Sequence, residues 1–101
     1  MGDCVWIHYS RPRPPWYELP EAERAALRQA WNEIASRSQA SGGQRLGRWH
    51  VRGQGDYSTV EIWRFAGVEQ AFDHWARLTA AGYGDWSAFA NSVGLAQGPE
   101  S

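Results

Sequence analysis

The stretch Tyr57–Phe65, reading Tyr-Ser-Thr-Val-Glu-Ile-Trp-Arg-Phe, constrains this chain more than any other. It concentrates β-branched and aromatic residues, and Gly-Gln-Gly-Asp at 53–56 and Gly67 bound it, so it reads as a strand. Folding back across the 53–56 turn onto Gln44–Arg52 makes a hairpin, with Arg52 opposite Tyr57, His50 opposite Thr59 and Arg48 opposite Glu61. Alternation along the strands puts Gly47, Trp49, Val51, Val60 and Ile62 on one face. Leu46, Arg48, His50, Arg52, Tyr57, Thr59, Glu61 and Trp63 take the other. The aliphatic face is the expected core. The mixed face is where function is expected.

The rest of the chain supplies partners for that hairpin. Asp3–Ser10 alternates as a strand, with Val5, Ile7 and Tyr9 on one side and Cys4, Trp6 and His8 on the other. The Arg11–Pro15 run ends it in a stiff extended loop. A helix follows Trp16 and Tyr17, with Pro20 in its first turn, Glu21 and Glu23 at its positive end, and a stripe through Leu27, Trp31, Ile34 and Ser38. Val68–Ala80 predicts a second helix burying Val68, Ala71, Phe72, Trp75 and Leu78, with Asp73 and His74 solvated beside the stripe and Asp73 within reach of Arg77. Asp85 is placed to cap a last short helix presenting Trp86, Phe89, Ala90 and Val93. Residues 1–95 then form one domain and 96–101 a loose tail.

Composition narrows the function classes. A formal net charge of −1 with interspersed signs gives no electrostatic case for nucleic acid or an anionic membrane. The single cysteine, Cys4, excludes an internal disulfide framework, and no apolar run approaches the ~18 residues of a membrane span. A cytoplasmic location is expected. Seven tryptophans, four tyrosines and three phenylalanines exceed what a core this small readily hides, pointing to a partner surface or an aromatic-lined cavity. Helices packed on the aliphatic face would leave Trp6, His8, Leu46, Arg48, His50, Glu61 and Trp63 uncovered by their own chain. A second subunit is expected to close that face, giving a homodimer.

This α+β order resembles the dimeric α+β barrels, small ferredoxin-like domains with an antiparallel sheet and helices on one face. Three segments are similar to an uncharacterised group of small bacterial proteins in or near that superfamily: Trp16–Arg24, Glu61–Phe65 and Tyr83–Asn91. The resemblance implies a cavity beside the sheet. It also implies chemistry ranging over cofactor-free monooxygenases, polyketide cyclases, haem-degrading enzymes and non-catalytic binding proteins. The chain departs from that pattern at its end, where a fourth strand is expected to be short or missing, with only Leu95-Ala96-Gln97 to supply it.

Chemistry on the mixed face centres on His8, His50 and Glu61, which share one side of three neighbouring strands if the first strand lies beside Tyr57–Phe65. Histidine titrates near neutrality and passes protons, and a carboxylate can orient its ring. In the bland alternative Glu61 simply pairs with Arg48 across the hairpin. As a metal set the three lack local spacing and Arg48 would repel a cation, so no metal is expected. Trp6, Trp63, Tyr57 and Leu46 read either as walls stacking a flat substrate or as anchors of the dimer seam, and Asn91 as a polar group at the cavity mouth. The resulting expectation is a cofactor-independent cyclase, isomerase or monooxygenase acting on a hydrophobic aromatic or polyketide-like molecule. His8 and His50 would transfer protons, Glu61 orient them, and Arg48 stabilise an enolate or phenolate. The alternatives are a non-catalytic homodimeric binding module and, less favoured, a haem-binding protein with His8 or His50 as axial ligand.

Overall fold

The computed structural model describes residues 3–53 and 55–97. In chain order it contains β1 (Cys4–Pro12), α1 (Pro14–Glu18), α2 (Glu21–Ala40), β2 (Gln44–His50), β3 (Thr59–Phe65), α3 (Val68–Ala80), α4 (Tyr83–Trp86) and β4 (Ser87–Leu95). The four strands form one sheet in the order β2-β3-β1-β4, with every neighbouring pair antiparallel. This is a ferredoxin-like α+β fold. Gln54 of the expected turn and Gly98–Ser101 of the expected tail lie outside the described residues.

The hairpin register follows the sequence pattern: Arg48 stands opposite Glu61, Trp49 opposite Val60 and His50 opposite Thr59. A bulge between Arg45 and Gly47 shifts the pairing beyond that point and places Leu46 at the irregularity. The helix α3 has the expected bounds. At its end Gly82 takes φ 82°, a left-handed conformation natural to glycine, and turns the chain into α4, which presents Tyr83 to the sheet.

The Arg11–Pro15 run is no stiff loop, since β1 continues to Pro12 and α1 opens at Pro14, and three further expectations are overturned. First, the helices cover the opposite sheet face. The core is built from Cys4, Trp6, Trp63 and Phe65 of the sheet with Ala35 of α2 and Ala71 and Leu78 of α3, while Trp31, Ile34, Val68, Trp75 and Tyr83 pack around it. Trp63 is 0% exposed, whereas Trp49, assigned to the core from sequence, is 49% exposed. The indoles and Phe65 carry more apolar area than the β-branched residues of the other face, so burying them removes more surface from water. His8, His74 and Glu61 beside them are hydrogen-bonded, which lowers the cost of covering that face. The face with Trp6, His8 and Trp63 is therefore no dimer seam.

Second, the fourth strand is full length. Ser87–Leu95 pairs with β1 from Ser87 opposite Pro12 to Leu95 opposite Cys4, so no helix runs through Phe89, Ala90 and Val93. The free edge of β1 satisfies this segment's backbone more completely than an isolated short helix can. Third, the buried stripe of α3 runs through Ala71, His74 and Leu78, while Phe72 is 60% exposed. Asp73 does make its surface pair with Arg77, at 2.7 Å.

Candidate functional site

A cavity of about 300 Å³ lies between the covered sheet face and the helices. Trp6, His8, Ser10, Arg48 and Glu61 line it from the sheet, and Trp16, Arg28, Trp31 and His74 from the helices, with Tyr83 at one end. Strand pairing explains the sheet side. His8 sits between Glu61 of β3 and Asn91 of β4 in register, and Trp6 sits between Trp63 and Val93 one step along. All point to the helix side because they share strand parity.

His8 is 2% exposed and has both ring nitrogens engaged. Its Nδ1 meets Asn91 Oδ1 at 2.5 Å, and its Nε2 meets Tyr83 Oη at 2.8 Å. The amide oxygen only accepts, so Nδ1 carries the proton and donates; Nε2 is then the acceptor of the tyrosine O–H. Trp6 stacks on the imidazole with centroids 4.8 Å apart and planes 14° from parallel. Burial lowers the proton affinity of His8, and Arg48 lowers it further, against the raising effects of the Asn91 hydrogen bond and of Glu61. Burial raises the Tyr83 phenol above its ordinary value, opposed by the hydroxyls of Ser10 and Ser87 and by the charge of Arg48. The pair rests as a neutral phenol donating to a neutral imidazole.

Glu61 is the carboxylate of the cavity wall. Its Oε2 accepts from Trp63 Nε1 at 2.6 Å and from Arg45 Nε at 2.9 Å, and its Oε1 lies 3.7 Å from Arg48 Nε. The cross-strand pairing with Arg48 read from the hairpin is therefore present but loose, and Arg45 is the closer partner. Deeper in, His74 hydrogen-bonds Ser38 Oγ through Nδ1 at 2.6 Å, with its ring 4.6 Å from that of Trp63. Burial pushes its pKa down to about 4, with Glu61 pulling upward and His8, Arg45 and Arg77 adding to the fall.

The structure brings together His8, Glu61, Arg48 and Trp6 of the residues singled out from sequence, with Asn91 behind His8 rather than at the mouth. His50 is exposed, and it does not line the cavity. Trp63 is sealed beneath the lining, under the Arg45 guanidinium at 5.3 Å. Tyr57 donates to the Phe89 carbonyl at 3.2 Å and lines a separate cleft with Tyr9, Val51 and Arg52; Leu46 is exposed. Sequence reasoning missed Tyr83, His74 and the Trp16–Trp31 stack (5.6 Å, 27°). A signal existed for His74, since Ala71, His74, Trp75 and Leu78 form a helical stripe. None existed for Tyr83, whose partner lies 75 positions away. Among the described residues no group of three or more His, Cys, Asp and Glu converges as a metal site, and no helix is long and apolar enough to cross a membrane.

No family model and no curated relative matches this sequence. Solved structures do. A mutant chlorite dismutase from Candidatus Nitrospira defluvii superposes with a TM-score of 0.80 at 11% identity, covering 97% of this chain and 41% of that one. The same organism's chlorite dismutase in complex with imidazole gives 0.75 at 15% identity, over 95% of this chain and 41% of that one. A haem-binding protein from Thermus thermophilus gives 0.67 at 16% identity, over 99% of this chain and 45% of that one. The chain thus spans less than half the length of these proteins, and the likeness is one of fold.

Proposed function

We propose that this protein is a cofactor-independent enzyme that binds a hydrophobic, aromatic small molecule between sheet and helices and moves a proton on it, as in an isomerisation or cyclisation. The observation that carries this reading is the hydrogen-bonded chain Asn91–His8–Tyr83 ending at a tryptophan-lined cavity. When a substrate C–H or O–H bond breaks, its proton passes to Tyr83 Oη while the phenol proton moves to His8 Nε2. The bond's electron pair stays on the substrate as an enolate or phenolate, within the field of Arg45 and Arg48. Asn91 holds the imidazolium through its unchanged Nδ1 hydrogen bond. The relay run backwards returns the proton to a different atom. Proton transfer of this kind is worth about 10²–10⁴ in rate.

The test is solvent-deuterium exchange into 2-tetralone and related aryl ketones, followed by NMR. Wild type should catalyse exchange, and His8→Gln and Tyr83→Phe should each lower it by about 10²-fold or more while keeping the fold. Unchanged exchange in both variants would remove the relay.

Neither buried histidine at the cavity offers a haem an axial ligand, and His50, the other candidate read from sequence, is exposed outside the cavity. An axial ligand must turn a free nitrogen toward a slot as wide as four pyrrole rings. His8 has both nitrogens occupied, and His74 is 2% exposed, enclosed by Trp6, Trp63 and Phe65. The cavity, about 300 Å³, stands at the small end of the range for small-molecule sites.

The homodimer expected from sequence is proposed on the opposite sheet face. Trp49 and Tyr9 are exposed there, and Val5, Ile7 and Ile62 are half-buried with none of the described helices over them. A second copy laid on that face would remove this apolar surface from water.

A further inference from the structure

The charges around the cavity do not balance. Arg11, Arg28, Arg45 and Arg48 line it, and Glu61 is the one carboxylate among the lining residues described. Outside the lining, Asp56 matches Arg11 at 3.2 Å and Glu21 matches Arg28 at 2.6 Å. Within it, Glu61 serves two guanidinium groups. Its Oε2 is taken by Arg45 and Trp63, and its Oε1 is 3.7 Å from Arg48 Nε, beyond hydrogen-bond reach. Arg48 therefore has a positive charge only loosely neutralised, with its side chain 57% exposed. Its planar fork of donors matches the two oxygens of a carboxylate.

The rest of the cavity sets the ligand's body. The stacked Trp16 and Trp31, both part-exposed, wall it from the helices and offer surfaces suited to a flat ring, while Trp6, stacked on His8, closes the sheet side. A volume of about 300 Å³, at the small end for ligand sites, suits one or two fused rings.

We infer that the substrate is a one- or two-ring aromatic or conjugated carboxylate, its anionic group met by Arg48 and its ring held against the Trp16–Trp31 pair. This rests on the small-molecule reading above and adds to it the chemical class of the ligand. Arg48 stands across Glu61 from His8 in the strand register and lowers proton affinity at both His8 and Tyr83, so a carboxylate bound to it would strengthen His8 as a base.

Isothermal titration with 2-naphthoate and with its uncharged isostere 2-naphthamide tests the class. Wild type should bind the carboxylate at least tenfold more tightly than the amide. In Arg48→Gln that preference should fall below twofold. Equal affinity for the two ligands in wild type, or a preference that survives in Arg48→Gln, would overturn the inference. Binding of neither would also overturn it. The exchange assay uses uncharged ketones, so it can succeed where this test fails, and the two failures are distinguishable.

Discussion

A histidine removed from solvent is held neutral, and His74 and His8 are both in that state. For His74 the consequence is measurable as stability. Its pKa is about 4 in the folded chain against an ordinary 6.5, so between those values the unfolded chain binds more protons than the folded one. Stability must then fall as pH drops from about 6.5 toward 4, by up to roughly 3 kcal/mol from this residue. His8, lowered in the same direction, adds to the loss. Urea unfolding of wild type and of His74→Gln at pH 7, 5.5 and 4 checks this. The variant should begin less stable, having lost packing and the Ser38 bond, but should decline less steeply. Parallel declines would mean that His74 does not stay neutral under its aromatic neighbours.

Strand parity decides which side chains of an element carry its energy, and β2 and β3 give opposite answers for two tryptophans. Trp63 is fully enclosed and its indole N–H bonds Glu61, so Trp63→Ala should cost about 3–5 kcal/mol. Trp49 is half exposed, so at low protein concentration Trp49→Ala should stay within about 0.5 kcal/mol of wild type. Chemical denaturation would measure both, and the reverse ranking would restore the aliphatic face as the core. The sequence makes the strand positions, the Arg48–Glu61 register and the bounds of α3 legible, because each follows from a local period and its punctuation. Which face the helices choose is not local. It depends on how much indole and phenyl area the helices can cover, and on whether His8 and Glu61 find partners such as Asn91, Tyr83 and Arg45. Those partners come from distant elements. The strand β4 was illegible for a related reason: Phe89 and Val93 stand four apart, which suits a helix face as well as alternate strand positions. Only the unpaired edge of β1 settles the choice.

For the whole molecule, the inversion of the sheet separates two surfaces that the sequence pattern had merged. The proposed ligand site lies between sheet and helices, and the proposed dimer contact on the far side of the same sheet, where Tyr9 and Trp49 stand exposed and Ile7 and Ile62 half-buried. A stable dimer of ordinary size buries about 1,600 Å² in total with an apolar centre, and a charge forced into that centre is strongly disfavoured. Ile62→Glu places a carboxylate in the middle of this face without touching the lining of the cavity. Sedimentation velocity should therefore show a dimer for wild type and a monomer for Ile62→Glu. Wild-type melting temperature should rise with protein concentration while the variant's does not. Binding of an aromatic ligand should persist in the monomeric variant, because the cavity and the seam lie on opposite sides of the sheet. A wild type that sediments as a monomer at all concentrations would remove the proposed seam. A dimer unaffected by Ile62→Glu would move the contact to another surface, with the free backbone edges of β2 and β4 the next to examine.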